Sequence, residues 1–216
     1  MSNDELVLDV NDELFSDPKV DNEEIAVSAD AGKVTLRGTV GSFRQKREAT
    51  KAAERVYGVK SVNNELQVRL LNDSRREDAE LRGDVLQALV LDSLLPTTID
   101  AKVDDGFVTL KGKADWQYQR DEAEFIAGNV LGVTGVDDQI ELTTPTPSAS
   151  NVKDAIEKAF KRNAALDADG ISVVTSNGTV TLEGGVSSWA EHDEAVEAAW
   201  AAPGVTYVKD RILVDY

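Results

Sequence analysis

The sequence predicts an α+β protein built from three tandem α-β-β-α-β units, each a small mixed three-stranded sheet with two helices on one face. First, a glycine-bounded heptapeptide recurs as GKVTLRG, GFVTLKG and GTVTLEG, at residues 32–38, 106–112 and 178–184. Second, a further glycine follows each heptapeptide at the same interval, at Gly58, Gly132 and Gly204. Third, the apolar period changes from four residues to two in the same order in each copy. Such self-similarity in one register indicates internal repeats, which we place at residues 2–70, 75–143 and 149–216.

The first element of each repeat is a helix, because apolar residues recur every four positions along it. The residues that form this stripe are Leu6, Val10, Leu14; Leu81, Val85, Leu89; and Val152, Ile156, Phe160. Side chains four residues apart share one helix face. Each stripe is therefore expected to pack on the sheet.

A β-hairpin follows, with alternating apolar residues on both strands. The pairs Asp105-Gly106 and Asn177-Gly178 are typical of a two-residue turn with positive φ. The first repeat has Asp30-Ala31-Gly32 instead, which predicts a slightly longer turn. The second glycine of each heptapeptide is expected to end its strand where the chain bends towards a helix.

The second helix opens with the capping-box pairs Ser42/Gln45 and Ser188/Glu191 in two of the repeats. Small residues form its buried stripe, which allows a close approach to the sheet. These residues are Ala49, Ala52, Ala53, Val56 in the first repeat and Ala195, Ala198, Ala199, Ala202 in the third. The last strand should run parallel to the strand before the helix, because such crossovers are right-handed and return to the same sheet.

Composition excludes several function classes. The chain has no cysteine, so disulfides and thiolate metal sites are excluded. A formal net charge of −17 argues against nucleic acid as a partner, since phosphates would be repelled. No apolar run is long enough to span a membrane. The acidic N-terminus has no apolar signal region, so a cytoplasmic protein is expected.

The residues that carry catalytic chemistry elsewhere do not form a pattern here. His192, the only histidine, has no counterpart in the other repeats and is expected to be a solvated surface residue. Glu48, Glu122 and Glu194 recur at one helix position, where a neighbour such as Arg44 would pair with them. Asp104-Asp105 and Asp167-x-Asp169 are expected to be solvated turns, because they lack a complete calcium loop. The heptapeptide lacks a phosphate-loop order. We therefore expect no catalytic residue, no metal site and no cofactor.

Two sets of residues are candidates for binding. Arg44, Arg47, Lys51 and Arg55 fall on one face of the second helix of the first repeat, where anionic lipid headgroups or an acidic partner would bind, or where they are simply solvated. Phe107, Trp116, Tyr118 and Trp189 are aromatic residues without counterparts in every repeat, and they form either a partner surface or contacts between repeats.

The α-β-β-α-β unit, with its G-x-V-T-L-x-G heptapeptide, alanine-rich helix and following G-V-x-x-V, resembles the BON domain (bacterial OsmY and nodulation). Three copies in one chain resemble the OsmY-like, transport-associated bacterial proteins. The resemblance implies a non-catalytic module linked to osmotic and envelope stress, with anionic phospholipid as a proposed ligand. The resemblance supplies no catalytic residues.

Three functions follow as expectations. The first is a stress-response binding or scaffold protein that contacts an anionic phospholipid surface or a protein partner. The second is ion sensing, since one relative of the family, fused to a LysM domain, binds potassium. The third is a purely structural protein that self-associates.

Overall fold

The computed structural model of the chain describes residues 2–70, 76–143, 149–163 and 170–215. The chain divides into two compact bodies. Residues 1–113 with 119–141 form the first body, and residues 114–118 with 142–216 form the second. The first body contains nearly all of the first two repeats, and the second contains the third.

Each repeat follows the predicted order of elements. The first repeat consists of α1 (Asn3–Ser16), β1 (Ile25–Asp30), β2 (Lys33–Val40), α2 (Phe43–Glu54), β3 (Ser61–Asn64) and β4 (Gln67–Val68). The second consists of α3 (Asp78–Leu91), β5 (Asp100–Asp104), β6 (Phe107–Ala114), α4 (Gln117–Asn129) and β7 (Gly135–Leu142). The third consists of α5 (Ala149–Arg162), β8 (Ile171–Ser176), β9 (Thr179–Val186), α6 (Trp189–Trp200) and β10 (Tyr207–Val214).

The three sheets share one topology, in which the second strand lies in the middle. The hairpins β1–β2, β5–β6 and β8–β9 are antiparallel. The returning strands β3 and β4 pair with β2, and β10 pairs with β9, in parallel. The prediction of three α+β units with mixed three-stranded sheets is confirmed, with the last strand of the first repeat divided into two short segments.

Apolar burial follows the predicted stripes. Every residue of the three first-helix stripes is buried. In the middle strands, the Val and Leu of each heptapeptide face the helices and are fully enclosed, as at Val34 and Leu36. The alanines of the second helices fill the space between helix and sheet, with Ala49, Ala53 and Ala195 completely buried. The core of each repeat is therefore a layer between two helices and one face of its sheet.

The hairpin turns have two residues in all three repeats, so the longer turn expected in the first is wrong. Asp30 pairs with Lys33, which leaves only Ala31 and Gly32 in the turn. The first turn residues Ala31, Asp105 and Asn177 have φ of 48°, 49° and 48°. Asn and Asp tolerate this left-handed region, whereas alanine does so at a cost in free energy.

Each of the first two turns is held by the first residue of the preceding helix. The carboxylate of Asp78 accepts hydrogen bonds from the amides of Asp105 (2.9 Å) and Gly106 (3.0 Å). The side-chain oxygen of Asn3 accepts one from the amide of Ala31 (3.1 Å). The hydrogen bonds from Gly106 and Asp105 lower the pKa of Asp78 below its usual value. The contact fixes the start of the helix against the tip of the hairpin.

The second glycine of the heptapeptide does not end its strand, contrary to expectation. β2, β6 and β9 each continue beyond it. At Gly38, φ is +124°, and a Cβ atom would lie 1.9 Å from the carbonyl oxygen of Glu24. Gly112 and Gly184 have the same geometry, with the carbonyl oxygens of Thr98 and Gly170 at 2.3 and 2.0 Å from a Cβ position. The glycine is required because the chain entering the first strand crosses directly against it.

The last strand of each repeat contains a repeated side-chain hydrogen bond. The Oδ1 atoms of Asn64, Asp138 and Asp210 accept from the amide two residues later, at 3.0, 2.9 and 2.9 Å. The remaining polar atom of each side chain reaches back towards the second helix. We call this contact the helix–strand tether.

Substitution of Gly38 by alanine should destabilise the first repeat by about 3 kcal/mol or more, because the added methyl group meets a backbone carbonyl and φ is unsuited to an L-residue. Urea unfolding of the full chain measures the loss. Gly83→Ala is the matched control: Gly83 lies within α3 with nothing within 4 Å of a Cβ position, so it should gain about 0.5–1 kcal/mol. Equal effects of the two substitutions would contradict the crossing.

Ala31→Asn should stabilise the chain by up to about 1 kcal/mol, because asparagine accepts the left-handed conformation that alanine adopts only with strain. Asn177 already occupies the equivalent position in the third repeat. Thermal unfolding compares the variant with wild type. A lower Tm would show that the turn does not need this conformation.

Candidate functional site

The strongest candidate surface from the sequence, the basic face of α2, is built on a well-capped helix. The hydroxyl of Ser42 accepts a hydrogen bond from the amide of Gln45 (3.2 Å), and the Gln45 side chain accepts one from the amide of Gly41 (3.0 Å). In the predicted capping box, the Gln45 side chain would bind the amide of the cap residue Ser42, but it binds the amide of the preceding residue, Gly41, instead. Ser188 and Glu191 follow the same pattern at the start of α6, where the amide of Ser187 donates the return bond.

Arg47 is half-buried and contacts the second repeat. Its guanidinium lies over the rings of Phe43 (5.5 Å) and Phe125 (5.0 Å). Its Nη2 donates a hydrogen bond to Oδ1 of Asn129 (3.0 Å). Both aromatic distances are within the range of a cation–π interaction. Arg47 therefore joins α2 to α4 inside the first body.

The contact between α2 and α4 requires the glycine at position 128, and the half-buried carboxylate of Glu124 lies near it. A Cβ atom on Gly128 would lie 2.9 Å from the ring of Phe43, so only glycine lets this ring approach α4. Burial, together with the nearby carboxylate of Asp138, raises the pKa of Glu124, while Arg47 opposes the rise. Burial likewise lowers the pKa of Arg47, and the carboxylate of Glu124 opposes this. The two charges stabilise each other across the contact.

Arg55 forms ion pairs within the first repeat. Its Nε donates to Oε1 of Glu13 and its Nη2 to Oδ2 of Asp17, both at 2.7 Å. The pKa of Asp17 is lowered, first by a hydrogen bond from the amide of Lys19 and then by the bond from Arg55. Arg55 thereby ties the end of α2 to the end of α1.

Arg44 and Lys51 are left exposed, and neither side chain has a hydrogen bond or ion pair with any described residue. They lie seven positions apart, so they project in nearly the same direction about 10.5 Å apart along the helix. The four cations predicted as one surface are thus divided: two face solvent and two hold the fold together.

The recurrent glutamates pair differently from the expectation. Glu48 is buried and accepts a hydrogen bond from Nζ of Lys19 (3.1 Å), not from Arg44. Glu194 accepts from Nδ2 of Asn163 at 2.6 Å. In both repeats the glutamate of the second helix binds a residue just after the first helix. Because the partner belongs to a distant part of the repeat, spacing along one helix did not reveal it.

His192 is not the solvated surface residue that the sequence predicted. Its side chain is only 12% exposed, and its ring packs edge-on against Trp189 with centroids 4.8 Å apart. Nε2 lies 2.7 Å from Oδ2 of Asp210, and Nδ1 lies 3.0 Å from Oδ1 of Asp193. Hydrogen bonds with Asp193 and then Asp210 raise the pKa of His192, against the effect of burial.

The predicted aromatic residues occupy different environments. Phe107 is 45% exposed and lies on the outer face of its sheet, where its ring covers the Cα of Gly135. Tyr118 is 51% exposed, whereas Trp116 is half-buried. Trp189 packs partly against the core of the third repeat. Sequence reasoning missed Phe15, which is 79% exposed on α1 and sits outside the buried stripe.

Of the two acidic turns, only Asp104-Asp105 lies among the described residues, and it does not assemble a ligand set. Asp104 is exposed, with its carboxylate 3.9 Å from the Lys102 ammonium, and Asp167-x-Asp169 lies outside the described residues. Within the described ranges, no group of three His, Asp or Glu side chains is placed to hold a metal ion. The described helices are all too short or too polar to cross a bilayer.

Clefts among the described residues of the first body include two that hold charged side chains. One, of about 490 Å³, is lined mainly by polar residues of the first repeat, including Glu24 and Arg69. The other, of about 360 Å³, lies between the first two repeats and is lined by Arg69, Arg76 and Asp78 among others. His192 lines neither of these two clefts.

Known proteins share this unit. The BON domain matches three segments of the chain, residues 2–69, 77–144 and 148–216. The osmotically-inducible protein Y of Escherichia coli (strain K12) is 33% identical over 133 residues. That match covers 59% of this chain and 66% of the relative, which is just under two thirds of its length.

Two solved structures match nearly the whole chain with low overall superposition. Both are of CdsD, a structural protein of the type III secretion system of Chlamydia trachomatis. One is 16% identical with a TM-score of 0.28 and covers 98% of this chain and 92% of its own. The other, of the C-terminal domain, is 15% identical with a TM-score of 0.28 and covers 100% of both chains.

Arg47→Ala should destabilise the first body by about 1–2 kcal/mol, because it removes the cation–π contacts and the hydrogen bond to Asn129. Arg44→Ala is the matched control on the same helix and should change stability by less than about 0.5 kcal/mol. Urea unfolding of the full chain measures both.

The Arg47→Ala effect should be larger at pH 7 than at pH 4. Without the guanidinium, the pKa of Glu124 in the folded state rises further. A carboxyl whose pKa is higher in the folded state destabilises the fold once the pH exceeds its unfolded value, about 4.3, and not when both states are protonated. A pH-independent loss would show that Glu124 and Arg47 do not interact.

Proposed function

The chain belongs to the BON domain family, and on that basis we propose that it is a non-catalytic binding protein that acts in osmotic stress by contacting anionic phospholipid surfaces. The family is not one of enzymes. The link to osmotic stress rests on the relative named as osmotically inducible. A cytoplasmic location and the cytoplasmic face of the membrane are part of the proposal.

The observation that carries the proposal is the pair Arg44 and Lys51. Both project from α2 into solvent without an internal partner among the described residues. Lipid headgroups on a bilayer are spaced closely enough for two cations about 10.5 Å apart to contact separate phosphates at the same time. Arg47 and Arg55 would support the site by fixing the helix that presents the pair.

The expected affinity is low. Each cation near an anionic surface contributes about 1 kcal/mol, so the pair supplies about 2 kcal/mol. The formal net charge of −17 opposes approach of the whole chain. Binding must therefore orient α2 towards the surface, and it should weaken steeply with added salt of any kind.

A protein partner is the second candidate, and the exposed rings of Phe107 and Tyr118 favour it. Aromatic side chains are enriched at the cores of protein interfaces, where they supply large contact area. This candidate uses residues outside α2.

Vesicle sedimentation at low salt tests the lipid proposal. Wild type should be retained by vesicles containing an anionic phospholipid and not by neutral ones, and Arg44→Ser with Lys51→Ser should abolish retention. The matched control replaces Lys111 and Lys113 with serine, which removes the same charge from exposed positions on β6. Equal losses in the two double variants would mean that only net charge matters.

Failure of wild type to bind anionic vesicles would overturn the lipid proposal. A partner captured by wild type but lost by Phe107→Ser with Tyr118→Ser would then support the protein candidate. A Tm increase with potassium that matched sodium does not reproduce would point instead to ion sensing, and it should not depend on Arg44 or Lys51.

A further inference from the structure

The helix–strand tether occupies the same position in all three repeats but uses different chemistry in each. Its helix side is the fourth residue of the second helix, and its strand side is the Asn or Asp that bends the last strand. The pairs are Lys46 with Asn64, Arg120 with Asp138, and His192 with Asp210. Internal repetition thus provides two natural comparisons for the third pair.

In the first two repeats the tether does not change with pH near neutrality. Nδ2 of Asn64 donates to the backbone carbonyl of Lys46 (2.8 Å) and to the hydroxyl of Thr50 (2.7 Å). Nε of Arg120 donates to Oδ2 of Asp138 at 2.8 Å, and both side chains are largely buried. An amide does not titrate, and a guanidinium keeps its proton in proteins.

In the third repeat the tether depends on a proton. Both ring nitrogens of His192 lie within hydrogen-bonding distance of carboxylates, Asp193 on α6 and Asp210 on β10. Only the imidazolium donates from both nitrogens, whereas the neutral ring directs a lone pair at one carboxylate. The arrangement therefore favours the charged ring.

Among the described residues, Asp193 and Asp210 are the charged groups that act on the ring. β9 presents the aliphatic side chains of Val180 and Leu182 to the core. Just after α5, Asn163 donates to Glu194 on α6, a pair that does not include the ring. The indole of Trp189 packs edge-on against the ring. The charged imidazole therefore pairs with the carboxylates of Asp193 and Asp210.

We propose that His192 and Asp210 form a pH-sensitive latch, which holds the start of α6 to β10 firmly when the imidazole is charged and holds it more weakly when the imidazole is neutral. The first two repeats keep their tethers over the same pH range. Alkaline conditions thus loosen one repeat selectively within a chain of three similar ones.

Linkage between proton binding and folding gives the direction in which pH changes the stability of the third repeat. The pKa of His192 is raised in the folded state, so the latch stabilises the third repeat fully below the unfolded pKa of about 6.5. The stabilisation is lost as the pH rises through the folded-state pKa. A pKa one unit higher in the closed latch than in the open one corresponds to about a tenfold change in the opening equilibrium.

Hydrogen exchange of the full chain at pH 6 and pH 8.5 tests the latch, with rates corrected for intrinsic exchange. Protection of β10 should fall several-fold at pH 8.5, while protection of the equivalent strand β7 should not. His192→Arg introduces the residue found at position 120, and it should remove the pH dependence while keeping protection high. His192→Gln should remove the pH dependence with protection low at both pH values.

NMR titration of the wild-type imidazole provides a second measurement that needs no variant. His192 is the only histidine, so its ring signals need no further assignment. The midpoint should lie above that of the unfolded chain, and Asp210→Asn should lower it. A midpoint at or below the unfolded value, a change in β10 protection of less than about twofold, or pH dependence that persists in His192→Arg would each overturn the latch.

Discussion

The close contact between a backbone carbonyl and a glycine in the middle strand sets the geometry of every repeat. Glu24, Thr98 and Gly170 each place a carbonyl oxygen where the side chain of the facing residue would otherwise stand. This crossing fixes the start of the first strand against the middle strand and so determines the register of the hairpin. The register in turn places Val34, Leu36 and their counterparts beneath the two helices.

On this common frame, equivalent positions have taken on different tasks. Position 47 in α2 carries an arginine that binds the second repeat, and the equivalent position 193 in α6 carries an aspartate that binds a histidine. On the basic face of α2, Arg47 and Arg55 therefore hold the fold together. Arg44 and Lys51 on the same face are exposed to solvent. Charge counted along a helix did not separate these tasks, because each depends on what the facing element presents.

Sequence predicted the parts of the structure that depend on local periodicity. The three repeats, the buried first-helix stripes and the alanine stripes all follow from spacing within single elements and from its recurrence along the chain. The reason for the second glycine was wrong, because the carbonyl that requires it comes from the segment that precedes the first strand. The environment of His192 was wrong for a similar reason, since Asp210 lies on another element, β10. The contacts of Arg47 join α2 to α4 across two repeats. A pattern within one helix does not predict contacts of this kind.

In the first two repeats, the hydrogen bonds between the hairpin turn and the start of the preceding helix bear on how the chain folds during synthesis. The bonds from Ala31 to Asn3 and from Asp105 to Asp78 close loops of only 28 and 27 residues. Short loops close quickly and at low entropic cost. The first repeat can therefore assemble as soon as its last strand leaves the ribosome, with one exception. Arg47 and Phe43 lack their partners on α4 until that helix emerges, so a newly made first repeat exposes a cation and a ring that the second repeat later covers.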